Sequence, residues 1–184
     1  HEDILLEVFQ RAAAVGALVA MDEAYYPFSQ VTALPWLEKF PNLLVTRTFS
    51  KAGGLAGLRI GYVAGHPDVI ANLYKVRTVN DMNSFAMLCA SQILRYPEII
   101  DDYVEQVQNG AQVLESRARE LGLEPLPTHA NFMLLRVAHR LDPGVLVEAL
   151  KSKGYLVKGM ANSPCVADCL RVTLGPPDIM EQFL

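Results

Sequence analysis

A lysine sits among hydroxyls, glycines and an arginine in the stretch Arg47-Thr48-Phe49-Ser50-Lys51-Ala52-Gly53-Gly54-Leu55-Ala56-Gly57-Leu58-Arg59. Hydroxyls and free backbone N–H groups donate hydrogen bonds to a phosphate, and a guanidinium offers it a planar fork. The order differs from a nucleotide P-loop, where lysine follows the glycines and precedes Ser or Thr; here Lys51 comes first. Two readings stand: an anion-binding loop that carries a reactive amine, or a glycine-rich turn and nothing more. A second candidate is Asp22-Glu23-Ala24-Tyr25-Tyr26, which follows an apolar run. A carboxylate at the carboxyl end of a strand can keep a heterocyclic nitrogen protonated by charge pairing. It can equally cap the segment that follows. The third is Arg171, within Cys169-Leu170-Arg171-Val172-Thr173-Leu174-Gly175. It reads either as a carboxylate clamp or as a surface residue on an alternating face.

The elements that must position these residues follow from hydrophobic patterning. Ile4 to Val15 reads as a helix, and Ala17 to Met21 as a buried strand ending on the acidic pair. Leu43 to Thr48 and Ile60 to Ala64 are two further strands. Apolar runs separated by helices and Gly/Pro turns predict a mainly parallel sheet covered on both faces. Pro67 to Arg77 is a helix opened by Pro after His66, and Ser84 to Leu94 another. From Pro97 to about Leu121 a long helix carries the stripe Ile99, Ile100, Tyr103, Val104, Val107, Val113 and Leu114, with Gly122 as its stop. Beyond Pro125 and Pro127 the order is strand (Asn131 to Val137), helix (Pro143 to Lys153), short strand (Leu156 to Lys158) and strand (Leu170 to Leu174). A smaller α/β unit attached to the first is the expectation. The boundaries drawn are 1–96, 97–124 for the connecting helix, and 125–184. Both ends read as interrupted elements: the chain opens inside a helix and stops inside one beginning at Pro177, as in a fragment of a longer protein.

Composition narrows the function classes. The chain has 184 residues, 51% hydrophobic and 20% charged, the balance of a globular protein. A net charge of -4 gives no broad basic field for nucleic acid, although a local anion site is compatible with it. The longest apolar run, Ala12 to Met21, is about half of the ~20 residues a bilayer crossing needs, and no membrane partner is expected. His1-Glu2-Asp3 lacks the basic start of a signal peptide. Cys89, Cys165 and Cys169 are an odd, sparse set that suits a reducing, cytoplasmic compartment. Cys165 and Cys169 have ligand-like spacing, but no second pair or nearby His completes a zinc site, and no metal is expected. His129 reads as a loop residue, His139 as solvent-exposed among Arg136, Arg140 and Asp142, and Trp36 as packed after Pro35. Met82, Met87, Met133 and Met160 read as core fillers.

Taken together and in order, the three stretches resemble the fold-type-I aminotransferases, most closely the histidinol-phosphate aminotransferase branch, in their carboxyl-terminal portion. The resemblance rests on Asp22-Glu23-Ala24-Tyr25, on Arg47 through Arg59 and on to Ile60-Gly61-Tyr62, on Ala130-Asn131-Phe132, and on Leu170-Arg171-Val172-Thr173-Leu174-Gly175. It covers nearly the whole chain. It implies a PLP-transferase-like α/β fold, with part of the large-domain sheet followed by a smaller domain. It implies pyridoxal 5'-phosphate (PLP) as cofactor, an amino-acid or amino-alcohol substrate, a 2-oxo acid and a homodimer.

The resemblance also implies roles. Lys51 would hold PLP as a Schiff base and then shuttle a proton. Asp22 would pair with the pyridinium nitrogen, Tyr25 would bond the ring's phenolic oxygen, and Thr48, Ser50 and Arg59 would bind the cofactor phosphate. Arg171 would grip a substrate carboxylate, with Asn131 also at the substrate. Lys158 stands where the branch carries an arginine that binds the substrate phosphate; lysine keeps the charge and loses the fork. Val79-Asn80-Asp81-Met82-Asn83 replaces the usual Pro-Tyr-Asn-Val-Asn. The implied reaction is amino transfer from histidinol phosphate to 2-oxoglutarate. A PLP-dependent decarboxylase of a phosphorylated amino acid is the alternative, and a catalytically inert fragment is another. The ring-stacking aromatic, second phosphate turn and phenol-binding asparagine of the family are not found in these residues, so weak PLP binding and no turnover are expected of the chain alone.

Overall fold

The computed structural model describes residues 2–79, 81–137 and 141–183. Two compact units divide the chain, His1–Ile100 and Asp101–Leu184. The division falls inside the long helix.

In the first unit, helix α1 (Glu2–Ala14) turns Phe9 into a core with Ala33, Phe40, Leu43 and Val45. Phe9 meets Trp36 and Phe40 edge-on, both at 5.6 Å between ring centroids. This is the favoured geometry for aromatic pairs. It gives Trp36, in a short 3₁₀ turn (Leu34–Trp36), the packing role expected of it. Strand β1 (Val19–Asp22) pairs in parallel with β2 (Leu43–Thr48). Between them lies a one-turn helix, α2 (Tyr26–Ser29).

Strand β3 (Gly61–Gly65) runs antiparallel to β2, so the sheet of order β1-β2-β3 is mixed: one of its two pairings is parallel and the other is not. The segment joining β2 to β3 holds only a 3₁₀ turn (Ala56–Leu58). A parallel return would need a longer crossover, usually a helix. Apolar content alone does not reveal strand direction. Nor is β3 covered on both faces, since Tyr62 and Val63 are exposed.

Helix α3 (Pro67–Val76) starts at His66, whose Nδ1 accepts from the Asp68 N–H at 3.3 Å. Helix α4 (Ser84–Arg95) starts at Asn83, whose side chain accepts from the Ala86 N–H at 2.8 Å. Such caps satisfy donors that have no partner within the helix. Helix α4 turns Ala86 and Ala90 inward against Phe49 and Ile60. The opposite side of that turn leaves Phe85, Met87 and Leu88 exposed. Met82 and Met87 are therefore not core fillers; Met133 is buried and Met160 half-buried.

Helix α5 (Glu98–Glu120) buries Val104, Val107, Gly110, Leu114 and Ala118, a helical stripe within the second unit. The carbonyl oxygen of Gly175 occupies the place a Cβ on Gly110 would take, so α5 meets the 174–176 turn backbone to backbone. The helix stops as expected, with Gly122 at φ 75°. The sheet that follows is antiparallel, of order β4-β5-β7-β6, built from β4 (Glu124–Pro125), β5 (Phe132–Arg136), β6 (Lys158–Gly159) and β7 (Cys169–Thr173). Helix α6 (Pro143–Ser152) connects β5 to β6, and α7 (Pro177–Phe183) follows β7. The two-residue β4 carries too little pattern to be read from sequence. Strand β6 begins where the expected Leu156–Lys158 strand ends, and Leu156 is exposed. Met133, Leu135, Leu170 and Val172 fill the buried face, the alternation a one-sided antiparallel sheet requires.

Candidate active site

In the first unit the parallel pair β1–β2 brings two of the expected residues to one sheet edge. Asp22 is the last residue of β1 and lies opposite Thr46; Thr48, two positions on, ends β2. Because side chains alternate along a strand, Asp22, Thr46 and Thr48 share a face. This is the carboxyl edge of the parallel strands, where ligands of α/β sheets collect. One Asp22 oxygen, Oδ1, accepts from the Ala24 N–H at 3.0 Å. The capping reading of Asp22 is thus realised for that oxygen. The residue is exposed and has a second one.

The chain after β2 turns tightly. Thr48 Oγ1 accepts from the Ser50 N–H at 3.1 Å, and the Phe49 N–H donates to Ile60 O at 3.2 Å. The turn delivers Lys51 to Tyr25: its Nζ lies 5.4 Å from the centroid of the Tyr25 ring, within cation–π range. No carboxylate among the described residues pairs with Lys51. Arg59 has φ 53° and ψ 44°, left-handed backbone that a residue with a Cβ seldom adopts. Its Nη1 donates to Ala56 O at 3.1 Å and its side chain is exposed. Asp22, Tyr25, Thr48, Ser50, Lys51 and Arg59 all lie within the first unit. Side-chain contacts join Lys51 to Tyr25 and Ser50 to Thr48; register joins Asp22 to β2.

Two residues in these stretches had no role in the sequence reading, Glu23 and Arg47. Glu23, 4% exposed, is the one buried charged residue among those described. Its carboxylate accepts from Arg47 Nε at 3.0 Å and Nη2 at 2.9 Å, from Thr32 Oγ1, and from the Ala33 N–H at 2.6 Å. The Arg47 guanidinium also lies 3.6 Å from the centroid of the Tyr26 ring. Burial pulls the Arg47 pKa down, but hydrogen bonds to Glu23 and Tyr62 and the charge of Glu23 outweigh it, so it is raised overall. A signal was present: an arginine immediately before a strand-end Thr, with an acidic residue next to Asp22. The pairing spans 24 positions, which local pattern cannot assign.

In the second unit, Arg171 on β7 lies opposite Leu134 on one side and Lys158 on the other. Directly opposed residues share a face, so the two cations stand together on the side away from the buried face. The Arg171 guanidinium lies 3.8 Å from the centroid of the Phe132 ring. Among the described residues no carboxylate pairs with Arg171. By contrast, Arg136 is held by Glu124 at 3.1 Å and Asp168 at 2.9 Å. The surface reading of Arg171 describes its place on the alternating outer face, where it is half-buried. Asn131 precedes β5, and its carbonyl accepts from the Leu174 N–H at 2.9 Å. His129 is an exposed loop residue, as expected. His139, Arg140 and Asn80 lie outside the described residues.

Among the described residues there is no group of three or more His, Cys, Asp or Glu able to hold a metal ion, and no helix long and apolar enough to cross a membrane. All three cysteines are free thiols. Burial raises the Cys169 pKa, aided by the hydrogen bond and charge of Asp168.

This α/β architecture is the PLP-transferase fold. The crystal structure of histidinol-phosphate aminotransferase from Sinorhizobium meliloti in complex with pyridoxal-5'-phosphate superposes with a TM-score of 0.80 at 28% identity, over 90% of this chain and 46% of that one. The histidinol-phosphate aminotransferase structure from Clostridium acetobutylicum superposes with a TM-score of 0.89 over the whole chain and 57% of its own, at 17% identity, a likeness of fold. The chain belongs to the aminotransferase class I and II family, whose model matches residues 2–184. Among curated relatives, "Histidinol-phosphate aminotransferase 1" of Ralstonia nicotianae is 39% identical over 176 residues, 95% of this chain and 46% of the relative. "Histidinol-phosphate aminotransferase 1" of Carboxydothermus hydrogenoformans is 32% identical over 97% of this chain and 50% of the relative. The chain spans about half the length of the curated relatives it matches.

Proposed function

We propose that this chain carries the cofactor-holding lysine and part of the substrate site of a PLP-dependent aminotransferase, with histidinol phosphate as amino donor and 2-oxoglutarate as acceptor. The observation that carries the reading is Lys51 Nζ at 5.4 Å from the Tyr25 ring, in a turn that starts at the strand edge bearing Asp22 and Thr48. The donor set fits PLP: an amine, a phenol, a carboxylate for a ring nitrogen, and hydroxyls and a guanidinium for a phosphate. In this reading the first unit is part of the large cofactor domain and the second the small domain. The protein that contains the chain acts as a cytoplasmic homodimer.

When bound, PLP supplies an electron sink for the charge left on a substrate carbon when a bond to it breaks. The chain's residues do the rest. Lys51 would hold the cofactor through Nζ, and the same atom would move a proton at the substrate carbon. Asp22 holds the ring nitrogen protonated through its charge. Tyr25 donates to the ring's phenolic oxygen, and Thr48, Ser50 and Arg59 bind the phosphate. Arg171 and Lys158, opposed across β6–β7, receive the anionic ends of the substrates, and Asn131 is a further substrate contact. Arg171 offers a fork suited to a carboxylate; Lys158 offers a point charge to a phosphate.

The test is to add PLP to the chain, reduce with borohydride and map the peptides. An adduct on Lys51 is the expected result. If neither this chain nor the longer protein containing it labels there, the cofactor site is wrong. Product analysis on the longer protein then separates amino transfer to 2-oxoglutarate from release of carbon dioxide, which would make it a decarboxylase.

A further inference from the structure

We infer that the Glu23–Arg47 pair is a positioning clamp that sets the geometry of the Lys51–Tyr25 site from the opposite side of the strand edge. The inference rests on the cofactor reading above for its consequence, but the contacts behind it do not.

Each member of the clamp is the chain neighbour of a residue proposed to hold the cofactor. Glu23 follows Asp22, Tyr26 follows Tyr25, and Arg47 precedes Thr48. Successive residues at the end of a strand point to opposite sides. Glu23 and Arg47 therefore meet on one side while Asp22 and Thr48 occupy the other. The Glu23 N–H donates to Thr46 O at 2.9 Å and extends the parallel ladder by one rung. The Tyr26 N–H donates to Glu23 O at 3.0 Å, so the turn into α2 hangs from the same residue. The carboxylate is then gripped by two Arg47 nitrogens, the Thr32 hydroxyl and the Ala33 N–H. Arg47 Nη2 also donates to Thr32 Oγ1 at 2.9 Å and closes a triangle. Finally the guanidinium covers the face of Tyr26 at 3.6 Å.

A carboxylate this buried is costly unless every interaction is made, and these are made. The consequence is low tolerance for displacement. β1, β2 and the segment through Ala33 are tied at one point, and a shift of the 22–26 turn relative to β2 would break charged bonds in a dry setting. The distance between Tyr25 on that turn and Lys51 beyond β2 is thus set by a pair that touches neither cofactor nor substrate. Its role is positional.

The experiment uses the full chain. Arg47→Met removes the clamp. Glu23→Leu combined with Arg47→Met removes it without leaving a buried charge, so a folded variant is available even if the single one unfolds. Arg47→Lys keeps the charge and loses the fork. Two rates are measured at Lys51 by peptide mapping: trapping of PLP by borohydride, and pulsed acetylation without PLP. Cofactor-free melting is followed alongside to establish folding. In the folded double variant, trapping should fall about tenfold or more, the scale expected when a reacting group is misplaced. Acetylation should rise severalfold as Lys51 leaves the Tyr25 face, and Arg47→Lys should restore part of both. If the folded variant keeps wild-type rates in both assays, the clamp does not position Lys51 and the inference fails. If wild type traps no PLP on Lys51, in this chain or in the longer protein containing it, while acetylation still responds to the clamp, the positioning stands and the proposed function fails.

Discussion

Two arginines of this protein sit on aromatic rings at nearly the same distance and have opposite fates. Arg47 lies 3.6 Å from the Tyr26 centroid and Arg171 lies 3.8 Å from that of Phe132. Arg47 is bonded to the buried carboxylate of Glu23, whereas Arg171 has no carboxylate partner among the described residues and stands across from a second cation, Lys158. The ring orients both guanidinium groups. The difference lies in whether the fold itself supplies the counter-charge. Where it does, the arginine is spent on holding elements together. Where it does not, the charge has no carboxylate partner among the described residues.

The largest expected effect tests that contrast in stability. Arg47→Met leaves Glu23 as an uncompensated buried charge and should cost about 3–5 kcal/mol. Arg171→Met, which breaks no ion pair among the described residues, should cost less than about 1 kcal/mol. Denaturant unfolding of the two variants reads both, and equal losses would erase the distinction. Next in size is ligand binding. In the longer cofactor-loaded protein, Arg171→Gln should weaken a dicarboxylate ligand by about 1.5–3 kcal/mol, the worth of a charged hydrogen bond. A titration showing unchanged affinity would return Arg171 to the status of a surface residue.

A third variant addresses what stabilises the second unit if not buried charge. Gly110→Ala sets a methyl where the Gly175 carbonyl oxygen lies, and should cost about 1–3 kcal/mol through forced backbone movement. A neutral result in a melting curve would mean the α5 contact is loose. The smallest effect concerns Cys169. Its folded pKa is raised above the usual thiol value of 9.0 because burial and Asp168 disfavour the thiolate. The unfolded chain therefore ionises first. The contribution of this thiol to stability is fully present below pH 9.0 and is lost as pH rises through the folded value. Alkylation at pH 8 should label exposed Cys165 well before buried Cys169. Equal rates would show that the start of β7 opens freely.

Much of this was legible in the residues, and the reason is locality. Leu43–Thr48 is found at its expected bounds because Leu43, Leu44 and Val45 followed by β-branched Thr46 and Thr48 favour a strand. The helices at Pro67, Ser84, Pro143 and Pro177 start at or next to their expected residues because each carries its own Pro or cap. The motif around Lys51 is likewise contiguous. Other features were not legible. The exposure of Met87 depends on which side of α4 meets Phe49 and Ile60, and the two-residue strands β4 and β6 exist only as partners of β5 and β7.

The sequence by itself determined the family, the order of the longer elements and the presence of an amine, a carboxylate, a phenol and two cations in fixed order. Those are properties of residue type and spacing along one chain. Only the tertiary structure decided that β3 runs antiparallel to β2, that Lys158 and Arg171 face each other, and that Glu23 is spent on Arg47 while Asp22 beside it remains exposed. Each of those depends on strand direction, register or a contact across many residues. Pairing energies between distant segments choose among arrangements that local preference leaves nearly equal.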